Sequence, residues 1–133
     1  MKGNEPTRPI GSTDQGADGS SEGASLRQIA RAMVAIYKEQ FGRGPRNAHA
    51  HYSGPNMIVC VLEGTHTPVE RSLVRMGEQQ RLLDIRQLFQ STTEETFRST
   101  VEEITGRKTI GFMSGNDIPN DIASEIFLFE PVS

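Results

Sequence analysis

The sequence of 133 residues predicts an α+β domain: two α-β-β halves that share one four-stranded, mainly antiparallel sheet, with helices on one face. Three observations predict it. "EQFGRGPRN", from Glu39, and "EEITGRKTI", from Glu102, each end a helical pattern, turn through Gly-Arg and enter a strand pattern. "YSGPN" and "MSGND" read as matching corners, and "VCVLE" and "IFLFE" as matching closing strands. The signals therefore come in the order helix, strand, strand, twice over.

Residues 1 to 24 combine Gly, Ser, Asp, Glu, Pro and Thr with Ile10 as the one large aliphatic after the start. Such a segment buries too little apolar area to offset its ordering entropy, so it reads as a disordered tail ahead of a single domain over 25–133. Ser25 is placed to cap a helix in which Leu26, Ile29, Ala30, Met33, Ile36, Tyr37 and Phe41 form one apolar face. Gly42 sits where a left-handed C-cap belongs. "RNAHAHYS" and "NMIVCVLE" follow as two strands joined at Ser53 to Asn56. Thr67, Pro68 and Glu70 supply a cap, a first-turn proline and the closing acid of a capping box, for a short helix that stops near Gly77.

From about Glu78 to Thr105 the stripe Leu82, Ile85, Phe89, Thr93, Phe97, Val101 and Ile104 predicts one long helix, which at 1.5 Å per residue would span roughly 40 Å and overhang its own sheet. Gly106 takes the position after it. "KTIGFMS" and "SEIFLFE" then give two strands around the loop "GNDIPNDIA". The closing strands "MIVCVL" and "IFLF" are apolar at every position, whereas a strand with one wet face alternates. Continuous apolarity and the overhanging helix together predict that a second copy covers the other sheet face, as a homodimer.

Composition narrows the function classes. Hydrophobic residues make up 35% of the chain, and a domain this small buries only about 65% of the surface its unfolded chain exposes, so association would help stabilise it. A net charge of −3 without a basic stripe argues against a nucleic-acid partner. The longest apolar run, Met57 to Leu62, is far below the ~20 residues that span a bilayer, so direct membrane insertion is not expected. The N-terminus lacks the apolar core of a secretory signal, and Cys60, the one cysteine, reads as a small core residue. A cytoplasmic protein fits, peripheral to the membrane through a partner if at all.

Several groups invite a chemical reading. His49 and His51, at i and i+2, share a strand face and could offer two imidazoles to a metal that then needs further ligands; such a pair is more often solvent-facing or packed in a dimer. Arg43 in "GRGP" and Arg107 in "TGRK" could hold an anion, but both turns leave a helix C-terminus, whose dipole repels anions and favours arginine. Asn116, Asp117 and Asp121 share a loop that suits contact with a ligand or partner, and its spacing fails the calcium-loop pattern. No nucleophile stands beside a recognisable base, no catalytic residue is nominated, and no cofactor fingerprint occurs.

The segments "YKEQFGRGPRNAHAHYSGPNMIVCVLEG", "THTPVERSLVRMG", "IRQLFQ" and "VEEITGRKTIGFMSGNDIPNDIASEIFLFEP" together resemble the MpsC-like family, over about residues 26 to 131. That family is a bacterial domain of unknown function, named for the soluble subunit of a Na+-translocating, membrane-potential-generating system. The resemblance implies a non-catalytic accessory or regulatory subunit that works with an integral membrane transporter in the uptake of cations or dissolved inorganic carbon. The alternative from the residues is a small-molecule or metal-binding domain, even an enzyme, using His49, His51 and the 116–121 loop.

Overall fold

The computed structural model describes residues 21–131. Helix α1 (Ser21–Phe41) forms as its apolar spacing dictates: Ile29, Met33 and Tyr37 are buried, and Leu26, Ala30, Ile36 and Phe41 pack beside them. Ser25 lies inside this helix rather than capping it. The last four residues of the expected tail are thus helical, and residues 1–20 lie outside the described part. Gly42, at φ +80°, closes α1 in the left-handed conformation, its N–H donating to the Lys38 carbonyl at 2.8 Å.

Strands β1 (Asn47–Tyr52) and β2 (Met57–Glu63) make the first hairpin. Helix α2 (Pro68–Arg75) starts on the expected box: the Glu70 N–H donates to Thr67 Oγ1 at 3.2 Å, and the Thr67 N–H donates to Glu70 Oε1 at 2.8 Å. Thr67→Ala is expected to lower stability by about 1 kcal/mol, with Thr67→Ser close to wild type, as a shift in the urea midpoint will report.

The expected long helix is two helices, α3 (Gln79–Thr92) and α4 (Glu94–Thr105), broken at Thr93 with φ −101° and ψ 0°. The cause lies in the run "QSTTEET". Thr92 Oγ1 donates to the carbonyls of Leu88 (3.0 Å) and Phe89 (3.2 Å), a back-bonding that bends helices. Backbone bonding continues across the break, from Thr93 to Phe89 and from Phe97 to Thr93, so the apolar stripe survives although the axis does not. Each half spans only about 20 Å, and the overhang that favoured a dimer is absent. The stripe itself changes one member: Arg86 is buried where Ile85 was expected, and Ile85 is 44% exposed.

Gly106 (φ +70°) ends α4, and β3 (Thr109–Asp117) and β4 (Ile122–Phe129) complete the sheet. "SGND" lies within β3, so the second expected corner moves to residues 118–121. The strand order is β1-β2-β4-β3, and every neighbouring pair is antiparallel. Two α-β-β halves thus meet along β2 and β4, the second half opening with three helices instead of one.

Alternate residues face the helices: Ala50, Ile58, Cys60, Leu62, Ala123, Glu125, Phe127 and Phe129 are all buried. Rings step from α1 into the sheet through Tyr37–Phe89, Phe89–Phe97, Phe97–Phe112 and Phe112–Phe127, with centroids 5.1, 5.9, 5.8 and 5.2 Å apart. Cys60 is 1% exposed and burial pushes its thiol up to about 12, so it is the inert core residue expected. The opposite face carries Met57, Val59, Val61, Met113, Ile126 and Leu128. These side chains are half-buried or exposed, and the described helices pack on the other side.

Candidate functional site

Three constellations hold the chemically capable side chains. The first surrounds Thr65 and His66, where β2 passes into α2. Asp121 adopts φ +55°, a left-handed conformation that Asp tolerates better than most residues. Its Oδ1 accepts from the Thr65 N–H at 2.7 Å and its Oδ2 from the His66 N–H at 3.1 Å, while its own carbonyl accepts from Gly64 at 3.0 Å. Arg86 Nη2 donates to the Thr65 carbonyl at 3.0 Å. Arg43 and Arg71 both donate to the His66 carbonyl, at 2.7 and 2.8 Å. One carboxylate and three guanidiniums, drawn from the end of α1, from α2, from α3 and from the β3–β4 turn, therefore satisfy all four backbone groups of this dipeptide. His66 is 5% exposed, and burial lowers its proton affinity despite the neighbouring Asp121. The carboxylate is occupied by amide donors, so this constellation locks four elements together rather than holding a ligand.

The second is buried beneath it. Arg86, 1% exposed, forms a bidentate pair with Glu70: Nε to Oε2 at 2.8 Å and Nη2 to Oε1 at 2.5 Å. Its guanidinium lies 3.9 Å above the Phe41 ring, and its Nη1 has no hydrogen-bond partner among the described residues. One helical turn further on, Gln90 Nε2 donates to Glu125 Oε2 at 3.1 Å, and Tyr37 donates to the same oxygen at 2.6 Å. Ser114 donates to Glu125 Oε1. Glu125 is fully buried, and burial pushes its carboxyl up to about 6 against the downward pull of these three donors. Burial and the same carboxyl raise the Tyr37 hydroxyl as well.

None of Tyr37, Arg86, Gln90 and Glu125 was singled out as polar from sequence, and Glu70 was singled out only as the closing acid of its capping box. The signal was present for two of them. Period two back from Phe129 and Phe127 puts Glu125 on the inward face, and Arg86 falls four after Leu82 and three before Phe89.

The third constellation is the open sheet face with His49 and His51 at its β1 edge. Their rings do project together, with Nδ1 of His49 and Nε2 of His51 3.0 Å apart. No group of three or more His, Cys, Asp or Glu side chains converges among the described residues. The 116–121 loop does not supply the missing ligands. Asn116 donates to Gln90 Oε1 at 2.8 Å on the helix face, Asp117 Oδ2 accepts from Asn120 at 2.9 Å within the turn, and Asp121 is committed to Thr65 and His66.

Of the two Gly-Arg turns, Arg43 reaches the backbone just after β2. Arg107 reaches the Glu130 carbonyl just after β4 at 3.2 Å, together with Pro55 (2.8 Å) and Asn56 (2.7 Å), while lying 4.7 Å above the Phe129 ring. Each arginine straps the end of its own half's closing strand to the helix exit, which explains why the turn recurs. The five residues Arg43, Arg107, Asn116, Asp117 and Asp121 form no common pocket: Arg43 and Asp121 meet at His66, and the other three face elsewhere.

A family model described as "Na+-translocating membrane potential-generating system (MpsC)" matches residues 21–131. The curated "Uncharacterized protein YrhF" of Bacillus subtilis (strain 168) is 29% identical over 101 residues, 71% of this chain and 79% of that protein. No solved structure matches the chain. Among the described residues, no helix is long and apolar enough to cross a membrane.

Proposed function

Because this chain belongs to the MpsC family, we propose that it is a non-catalytic accessory or regulatory subunit of a membrane system that translocates sodium ions or dissolved inorganic carbon. In this reading it works from the cytoplasmic side, and it self-associates as a homodimer through the open face of its sheet. The observation that carries the reading is that face. Val59, Val61, Ile126 and Leu128 present a contiguous apolar surface across the two central strands, at positions where a water-facing strand places polar residues. The charged groups that the fold engages supply no rival chemistry. Asp121, Glu70 and Glu125 each have their oxygens engaged by donors from the fold.

The reading is tested by purifying the tagged chain from gently solubilised membranes of its native cell, beside a Val61→Asp variant whose fold is checked by circular dichroism. Wild type is expected to bring down an integral membrane transporter near one-to-one with the dimer, and the variant to lose most of it. Equal recovery with both proteins would remove the face from the account. Failure of both to recover any membrane protein would contradict the accessory role.

A further inference from the structure

The lock around Thr65 and His66 encloses no ligand of its own, yet it uses only part of the arginines that build it. We propose that Arg43, Arg46 and Arg71 form a surface site for a phosphate group, carried by a free phosphate compound or by a lipid headgroup. The site lies where β2 passes into α2. None of its residues belongs to the open sheet face, so it stands independently of the accessory reading.

The guanidiniums converge. Nη1 of Arg43 and Nη1 of Arg71 donate to the same oxygen, the His66 carbonyl, at 2.7 and 2.8 Å. Two like charges are thereby held side by side. Arg46 approaches from the entry to β1: a Cβ on Gly64, which takes φ +70°, would stand 2.6 Å from Arg46 Nη1, so a third guanidinium lies over Gly64, two residues before His66. Apart from the two bonds to His66, these three side chains have no hydrogen-bond or ion-pair partner among the described residues. Arg46 and Arg71 are exposed and Arg43 is half-buried, so their spare donors are within reach of a solute. Each of Arg43 and Arg71 is already anchored through one nitrogen, and an incoming anion therefore has little side-chain freedom left to remove. The negative end of α1 disfavours an anion at the Gly-Arg turn itself, but Arg43 carries its charge from that turn to a carbonyl just ahead of α2.

The acids nearby leave this charge unmet. Glu70 is paired with Arg86, and Asp121 is taken up by the N–H groups of Thr65 and His66. Even with Asp121 set against one arginine, two of the three stay uncompensated, in a chain whose net charge is −3. Arg75 adds a further positive charge one turn along α2 from Arg71, a spacing at which like charges oppose helix formation unless an anion lies between them. A phosphate monoester carries about −1.5 to −2 at neutral pH and offers three acceptor oxygens, enough to meet two or three guanidinium forks. A carboxylate carries a single charge and two oxygens, and would leave part of the surplus in place.

The test uses the full chain at neutral pH and constant ionic strength. Equilibrium dialysis against labelled inorganic phosphate, with acetate as competitor, reads the free ligand. Co-sedimentation with phosphatidylcholine vesicles, with and without phosphatidic acid, reads the lipid headgroup. The expected result is saturable binding of one phosphate group per chain, with acetate at least about tenfold weaker. Arg71→Gln should weaken binding at least about tenfold, and Arg71→Lys, which keeps the charge without the fork, by less. Arg27→Gln removes the same charge near the far end of α1 and should bind as wild type. Circular dichroism checks each fold, and Arg46→Gln, which breaks no bond to His66, carries the test if Arg71→Gln does not fold. Retention on phosphatidic acid vesicles that the arginine variant abolishes would support the site with a lipid headgroup as its ligand. Dialysis binding without vesicle retention would support it with a free phosphate compound. Equal binding of phosphate and acetate, binding unchanged in a folded Arg71→Gln or Arg46→Gln, or no binding to either phosphate or vesicles would overturn it.

Discussion

Glu70→Ala is expected to destabilise the protein by about 3–5 kcal/mol, a large part of the 5–15 kcal/mol that holds a domain of this size together. The magnitude follows from what the substitution leaves behind. Arg86 is 1% exposed, and two of its three nitrogens are satisfied by Glu70. Its Nη1 already lacks a partner among the described residues. Without the carboxylate a guanidinium charge stays in the core, with the Thr65 carbonyl and the Phe41 ring as its remaining company. The same substitution removes the acid that closes the α2 capping box, which costs a further fraction of a kcal/mol. Replacing both partners, Glu70→Ala with Arg86→Met, should recover half or more of the loss, because an apolar filling of similar volume often serves a core as well as a buried ion pair. Urea unfolding of the three variants provides the comparison. A loss under about 1 kcal/mol for Glu70→Ala alone would show that Arg86 is solvated, contrary to the structure.

The second large effect is a dependence on pH. Burial raises the Glu125 carboxyl from an ordinary value near 4.5 to about 6 in the folded protein. The folded state therefore keeps this proton over a range in which the unfolded chain has released it. Its contribution to stability is full below about pH 4.5 and is lost as pH rises through 6, a difference of about 2 kcal/mol. Glu125→Gln keeps the shape without the charge. Relative to wild type it should gain about 2 kcal/mol between pH 4.5 and pH 7, while paying a constant cost at both for the altered bonds to Tyr37, Ser114 and Gln90. Measured as urea midpoints at the two pH values, a variant-to-wild-type difference that does not change would contradict a raised carboxyl.

Local chemistry was the most readable part of this chain. Gly42 and Gly106 end helices because each takes a positive φ, and Thr67 starts one because its box is complete within four residues. Strands and hairpins followed from apolar runs between turn residues. The break at Thr93 was hidden because the apolar stripe and the backbone bonds both continue through it, and only the hydroxyl of Thr92 turning back on Leu88 marks the bend. The β3 strand ran on through "SGND" because cross-strand pairing with β4 outweighs the turn preference of those residues.

The candidate sites were less readable, for a physical reason. Arg86 pairs with a residue sixteen positions earlier and Tyr37 with one eighty-eight later, so no spacing could announce either bond. Asp121 was chosen as a loop ligand and is a cap for Thr65 and His66, fifty-five or so positions away. The histidine pair was visible, since period two needs no tertiary contact, but the 3.0 Å between its nitrogens was not.

The central claim is that the open sheet face is an assembly surface, and sedimentation velocity of wild type and Val61→Asp in EDTA over a wide concentration range tests it most directly. The account predicts a concentration-dependent dimer for wild type and a monomer for the variant. A wild-type chain that sediments as a monomer at every concentration, or a variant that dimerises equally well, would contradict it.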